Sequence, residues 1–104
     1  LAPGEFSMPC NLALLPDGDL LIADGGGSRL QIMSTDGELR RVLACRGDDL
    51  GQLNYPAGLC VSADGAALYV ADRGNCRVQK LRLSDGALVA SGAPGRVRLQ
   101  SVRA

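Results

Sequence analysis

The chain has 104 residues, room for one domain of ordinary size and not for two. Its 11 Lys+Arg balance 11 Asp+Glu, which excludes a disordered polyelectrolyte and argues against a nucleic-acid binder, a class that is usually basic. Histidine and tryptophan are absent and aromatics make up 3%, so His-based acid–base catalysis, His-ligated zinc or haem from this chain, and base-stacking platforms all lack material.

In chain order, residues 11–15, 20–24, 29–34 and 39–45 read as four short strands, and residues 58–62, 68–72, 77–83 and 87–91 as four more. Each run is apolar or β-branched and four to seven residues long. The steps Asp17-Gly18, Asp36-Gly37, Asp64-Gly65 and Asp85-Gly86 supply the positive φ that tight hairpin turns need. Leu20–Ala23 and Leu68–Ala71 are apolar throughout, as a strand buried on both faces would be. Arg29-Leu30-Gln31-Ile32 alternates, with Leu30 and Ile32 to one side and Arg29 and Gln31 to the other. In 77–83 the phase is lost around Lys80, and a bulge there is expected to restore it. No segment carries a helical apolar stripe.

The two sets of strands are copies. Gly4-Glu5-Phe6-Ser7-Met8-Pro9 recurs as Gly51-Gln52-Leu53-Asn54-Tyr55-Pro56 at an offset of 47. Leu20-Leu21-Ile22-Ala23-Asp24 recurs as Leu68-Tyr69-Val70-Ala71-Asp72 at 48, and so does Arg29-Leu30-Gln31 as Arg77-Val78-Gln79. Asp36-Gly37 and Asp85-Gly86 stand 49 apart. The one-residue slips are expected in turns or at a strand bulge. A third copy starts at Gly95-Arg96-Val97-Arg98-Leu99-Gln100 if the missing Pro is overlooked.

Four antiparallel strands per unit of this length read as a propeller blade. The pattern G-x-[FL]-x-x-P, an apolar strand, Asp-Gly, a strand ending Ala-Asp, and Arg-[LV]-Gln resembles the NHL repeat. The stretch Tyr69-Val70-Ala71-Asp72-Arg73-Gly74-Asn75-Cys76-Arg77-Val78-Gln79 is similar to that family's central motif, with Cys76 where the name-giving His stands. The resemblance implies an all-β fold: two four-stranded antiparallel blades of an NHL-type β-propeller, a partial ring or a fragment of a longer chain. The expected organisation is a unit at 4–50, a unit at 51–94, and a basic tail or the start of a third unit at 95–104. The opening on Leu1 rather than Met is the pattern of a fragment or processed product. Blades need stacking partners, so an isolated pair leaves an apolar face at each end.

Pro9, Asp17, Gly18, Asp24, Arg29, Pro56, Asp64, Gly65, Asp72 and Arg77 are read as structural repeat positions. The Asp24/Arg29 and Asp72/Arg77 pairs bracket the loop between second and third strands, where a structural ion pair or turn cap is expected. Both units carry the pair, as scaffolding would. The Gly25-Gly26-Gly27-Ser28 loop could cradle an anion through backbone N–H groups, but neither a helix nor a Lys follows, so it reads as a hairpin tip. Asp48 and Asp49, with Asp17 and Asp19, match no EF-hand spacing and read as solvated loop acids. Arg46-Gly47-Asp48 lies in the linker before Gly51 and reads as a chance tripeptide. Residues 1–72 carry a net charge of −6 and residues 73–104 a net +6. This polarity suits an acidic partner surface, head-to-tail docking of like units, or cations guarding a strand edge. Arg73, Arg77, Lys80, Arg82, Arg96 and Arg98 form the candidate basic patch.

Cys10, Cys45, Cys60 and Cys76 form no CxxC pair. They are expected as small buried thiols; the alternative is a disulfide in an oxidising compartment. No apolar run reaches membrane-spanning length and no secretion signal is visible, so a soluble chain is expected, with its compartment undetermined. Neither catalytic, cofactor-binding nor metal-binding residues are recognisable. The favoured function is a non-catalytic protein-interaction or scaffold module with protein partners packing on the exposed blade faces. The resemblance also implies alternatives: part of a lyase- or lactonase-type propeller enzyme whose metal site lies on other blades, or an RNA-binding propeller, against which the neutral charge argues.

Overall fold

The computed structural model describes residues 2–92 and 100–101. The first sheet holds β1 (Pro9–Leu14), β2 (Leu20–Asp24), β3 (Arg29–Met33) and β4 (Leu39–Ala44), in that order and antiparallel throughout. The second holds β5 (Pro56–Val61), β6 (Ala67–Asp72), β7 (Arg77–Arg82) and β8 (Leu88–Gly92), and gains a fifth short strand, β9 (Gln100–Ser101), on the outer edge of β8. The first eight strands lie within two residues of the ends read from the sequence. β9 was not expected; the free edge of β8 offers unpaired backbone groups that a returning segment can satisfy. The rest of the expected third start, including Arg96 and Arg98, lies outside the described residues.

The two slips of the repeat lie in hairpin turns. Leu15 N–H bonds the Asp19 carbonyl across the β1–β2 turn, whereas Ser62 N–H bonds that of Ala67 across β5–β6, one residue further on. Ser34 likewise closes on Glu38, and Arg82 on Ala87. The strands repeat even in their irregularity. Cys10 and Ala57 are each the extra residue in the pairing of an inner strand with its neighbour. The bulge expected in 77–83 is absent from the β6–β7 pairing, which runs without a break from Ala67↔Arg82 to Asp72↔Arg77. The buried residues of β7 are Gln79 and Leu81, while Val78 is exposed, so the phase was never lost. A register shift does occur between Lys80 and Leu81, on the β8 side of the strand.

The sheets pack together through β1, β2 and β5, and they meet again where the β7–β8 turn reaches β4 and Arg41 donates to the Leu83 and Ser84 carbonyls. Leu21, Ala23, Leu30 and Ile32 cover one face of the first sheet, as their cross-strand pairing requires. They share a single core with Leu68, Val70 and Leu81 of the second sheet, and Leu59, Val61, Leu83 and Leu88 pack around it. Leu21, Leu30, Leu68, Val70 and Leu81 are fully buried, each worth about 1.5–3 kcal/mol relative to exposure. β2 is buried on both faces, as expected. β6 is not: Tyr69 and Ala71, on the face turned away from the first sheet, are only half-buried.

Gly86 shows why one turn must be glycine. Its φ is +76°, and a Cβ there would collide with the Leu43 carbonyl of the neighbouring sheet.

Candidate functional site

Each blade is entered by a loop held down by three polar side chains at the end of its sheet. In the second blade Asp72 is fully buried and accepts from Asn54 N–H at 2.7 Å, Asn75 Nδ2 at 2.9 Å, Arg77 Nε at 2.7 Å and Gln79 Nε2 at 3.1 Å. Arg77 Nη2 and Gln79 Nε2 both donate to the Gln52 carbonyl, and Gln79 Oε1 accepts from Gly51 N–H. Arg77 also caps the Asp48 and Asp49 carbonyls. In the first blade Asp24 accepts from Ser7 and Met8 N–H, Arg29 and Gln31 both donate to the Glu5 carbonyl, and Gln31 accepts from Gly4 N–H. Burial pushes the Asp24 carboxyl upward, but N–H donors from Met8, Ser7 and Gly27, with the charge of Arg29, outweigh it and leave the pKa lowered.

The ion pair read from the sequence is thus no exposed contact: the Asp72 and Arg77 side chains are 0% and 10% exposed. Gln31 and Gln79, each fully buried, were not singled out. Their signal was present, since both recur with the Arg two positions before them.

Pro9 and Pro56 open the inner strands and pair with Asp24 and Asp72. Gly18 and Gly65 take φ of +93° and +74° in the hairpin turns. Asp17 N-terminal to Gly18 accepts from Asp19 N–H, and Asp64 accepts from Ser62 Oγ and Ala66 N–H. Asp17 and Asp19 lie at the opposite end of the sheets from Asp48 and Asp49, so these acids are not brought together. No group of three or more Asp, Glu or Cys that could hold a metal ion occurs among the described residues.

The basic residues are dispersed. Arg77 is spent inside the latch, Arg82 pairs with Asp85, Lys80 sits 5.6 Å over the Tyr69 ring, and Arg73 sits 5.5 Å over Tyr55 at the loop end. The glycine loop is pressed onto its surroundings: a Cβ at Gly26 would stand 2.5 Å from Ser7 Oγ. Beside it a polar cleft of about 270 Å³ is lined by Ser7, Gly26, Gly27, Arg29 and Arg46.

The four cysteines correct the expectation of buried thiols: all are free and exposed. Their positions explain it. Cys10 is the bulged residue of β1, Cys45 follows β4 in the linker, Cys60 lies on the uncovered face of β5, and Cys76 takes a left-handed conformation after the 3-10 turn Arg73–Asn75.

The outer faces are the remaining candidate surface. Leu12 and Leu14 of β1 are 60% and 67% exposed. They hold the repeat positions of Leu59 and Val61, which pack against the shared core. On the far side of the second blade Val78 and Val89 are exposed. Val78 holds the position of the fully buried Leu30.

Two sheets of this order, joined through inner strands and latched at the loop end, define blades of a β-propeller. Residues 53–81 match the family model of the NHL repeat. Among solved structures it is similar to the periplasmic gluconolactonase PpgL of Pseudomonas aeruginosa, with a TM-score of 0.62 and 21% identity over 99% of this chain. The chain spans 31% of that protein's length. A search of curated proteins finds no match. Among the described residues no helix is long and apolar enough to cross a membrane.

Proposed function

We propose that the chain is a non-catalytic interaction module whose outer blade faces dock protein partners. The observation that supports this reading is the pair Leu12 and Leu14: two large aliphatic side chains, more than half exposed, at positions that pack blade against blade elsewhere in the same molecule. Exposed apolar surface of this kind marks a contact site. The latches, on this reading, are scaffolding, because the same three residue types recur at the same positions of both blades and hold the backbone of the entry loops. The polar loops that they hold give the module a rigid end on which partner contacts can be varied.

Hydrophobic-dye binding combined with the solution mass tests the proposal. The face is expected either to bind dye in a monomer or to be hidden in an assembly. A folded monomer that binds no dye overturns it.

A second reading, part of a lactonase-type propeller enzyme, draws on the likeness to the gluconolactonase. Hydrolysis of gluconolactone, assayed with and without added divalent metal, tests that reading.

A further inference from the structure

We propose that Arg73, seated on the Tyr55 ring at the loop end of the second blade, is the binding group of a site for a small organic carboxylate. The site lies apart from the outer faces and does not depend on the interaction reading. Residues that build the blades recur in both: Asp24 and Asp72, Arg29 and Arg77, Gln31 and Gln79. Tyr55 and Arg73 do not recur, for the first blade has Met8 and Gly25 in their places. One blade of the two is therefore built without them, and their presence in the other has a reason besides the fold.

The pair is held as a preformed unit. Tyr55 takes a left-handed backbone with φ of +56°, which a bulky side chain adopts at a cost and keeps only where its neighbours impose it. Here the neighbours come from the first blade. Ser28 Oγ accepts Tyr55 N–H across the junction at 3.1 Å, and the Tyr55 hydroxyl donates to Met8 Sδ. The ring edge rests on the first blade's loop, where a Cβ at Gly25 would stand 3.2 Å from Tyr55 Cε1. The preceding Asn54 is fixed as well, its N–H on Asp72 and its carbonyl on Gly74 N–H. The Arg73 guanidinium carbon lies 5.5 Å from the centre of the ring, a distance at which the π-face attracts the cation.

The donors of Arg73 are unspent. Among the described residues Arg40 and Arg82 pair with carboxylates, Arg29, Arg41 and Arg46 donate to carbonyls, and Arg77 does both. The Arg73 side chain has the Tyr55 ring alone as its partner, and the two line an open cleft of about 400 Å³ with Gly74. A guanidinium placed by an aromatic face offers two parallel N–H groups to a carboxylate. Phosphate is disfavoured, because its sites gather several backbone N–H groups. Here Gly74 N–H is spent on the Asn54 carbonyl, Cys76 N–H on that of Arg73, and the Asn75 amide on Gly47 and Asp72. One free cation matches one negative charge. Met8, half-exposed beside the Tyr55 hydroxyl, adds an apolar surface for the body of the ligand.

Titration of the isotope-labelled protein with benzoate, followed through its amide NMR signals, tests the site. Saturable shifts at Asn54, Tyr55 and Gly74 are expected, with a dissociation constant of about 1 mM. The neutral isostere benzamide and inorganic phosphate are each expected to bind roughly tenfold more weakly, because the guanidinium fork matches a carboxylate. Arg73→Gln is expected to abolish the shifts, and Arg73→Lys to weaken binding about fivefold, since Lys keeps the charge and loses the fork. Arg73 is exposed, so the circular dichroism of both variants should match that of the parent. Arg46→Gln, which removes another exposed arginine, is expected to leave the shifts unchanged. Shifts that stay linear in benzoate up to about 20 mM overturn the proposal. So do shifts that persist in Arg73→Gln, an equal loss in Arg46→Gln, or phosphate binding as tight as that of benzoate.

Discussion

The two blades follow one pattern and differ in what covers them. In the first, β2 is buried on both faces, because the second blade lies on one side and the entry loop and latch on the other. In the second, Tyr69 and Ala71 of the equivalent strand are half-buried and Val78 is exposed. The same substitution pattern appears at single positions. Ser28 and Cys76 are repeat partners and share a left-handed backbone, with φ of +53° at each. The Ser28 hydroxyl is buried and accepts Tyr55 N–H across the junction at 3.1 Å, whereas Cys76 is exposed. Position in the stack, and not the local sequence, decides which copies become core.

The latches differ in strength, and that is where the comparison is tested hardest. Asp72 carries four side-chain and backbone donors, among them the Arg77 guanidinium. Asp72→Ala is expected to cost about 3–5 kcal/mol, since it removes the acceptor of four buried donors, the charged Arg77 Nε among them. Asp24→Ala is expected to cost less, about 2–3 kcal/mol, because the donors it leaves unmet are the backbone N–H groups of Ser7 and Met8. Urea unfolding of both variants measures the difference, and equal losses would show that the extra donors around Asp72 add nothing.

A smaller effect separates covered from uncovered leucines. Leu59→Ala is expected to lose roughly 1–3 kcal/mol, and its repeat partner Leu12→Ala no more than about 0.5 kcal/mol in the monomer. If Leu12 proves as costly as Leu59 under conditions where the chain is monomeric, its exposure is not what the geometry describes. At the junction hydroxyl, Ser28→Ala should remove about 1 kcal/mol, while Cys76→Ala should stay within about 0.5 kcal/mol; thermal unfolding resolves the pair.

The smallest effect is in acid. Arg82 beside Asp85, with the Ala87 N–H, lowers the Asp85 pKa from 3.8 to about 2. A carboxyl whose folded pKa is depressed contributes stability above its unfolded value and loses it as pH falls toward the folded one. The contribution of this exposed pair should therefore be complete above pH 4, fade between about 4 and 2, and be absent from Asp85→Asn. Asp24 is shifted in the same direction, so the first latch weakens on the same limb, and a variant carrying Asp85→Asn isolates it.

Much of the architecture was legible because the signals are local. Asp-Gly steps mark turns through the φ that glycine tolerates, and runs of four to seven apolar or β-branched residues between them become strands. The repeat spacing ties Asp24 to Asp72 and Arg29 to Arg77. The function of those side chains was less legible. Beside the short-range pairing of Asp72 with Arg77, they hold backbone groups 16 to 29 residues away, on loops whose own sequence is unremarkable apart from Gly and Pro. The alternation of residues 29–32 sets Gln31 beside Arg29 on one side of a strand; that Gln31 and Gln79 are buried follows only when the entry loop folds over them and its carbonyl and N–H need satisfying. The cysteines were misjudged because residue type predicts burial only on average, while a bulge, a linker and an uncovered face each place a thiol outside the core.

The amino-acid order by itself determined that two equivalent β units exist, where their turns fall and which residues recur, since these depend on backbone preference and period. Tertiary packing alone decided that one apolar set is core while its copy is exposed, because burial requires a neighbouring blade, and a strand carries no record of which of its faces will have one.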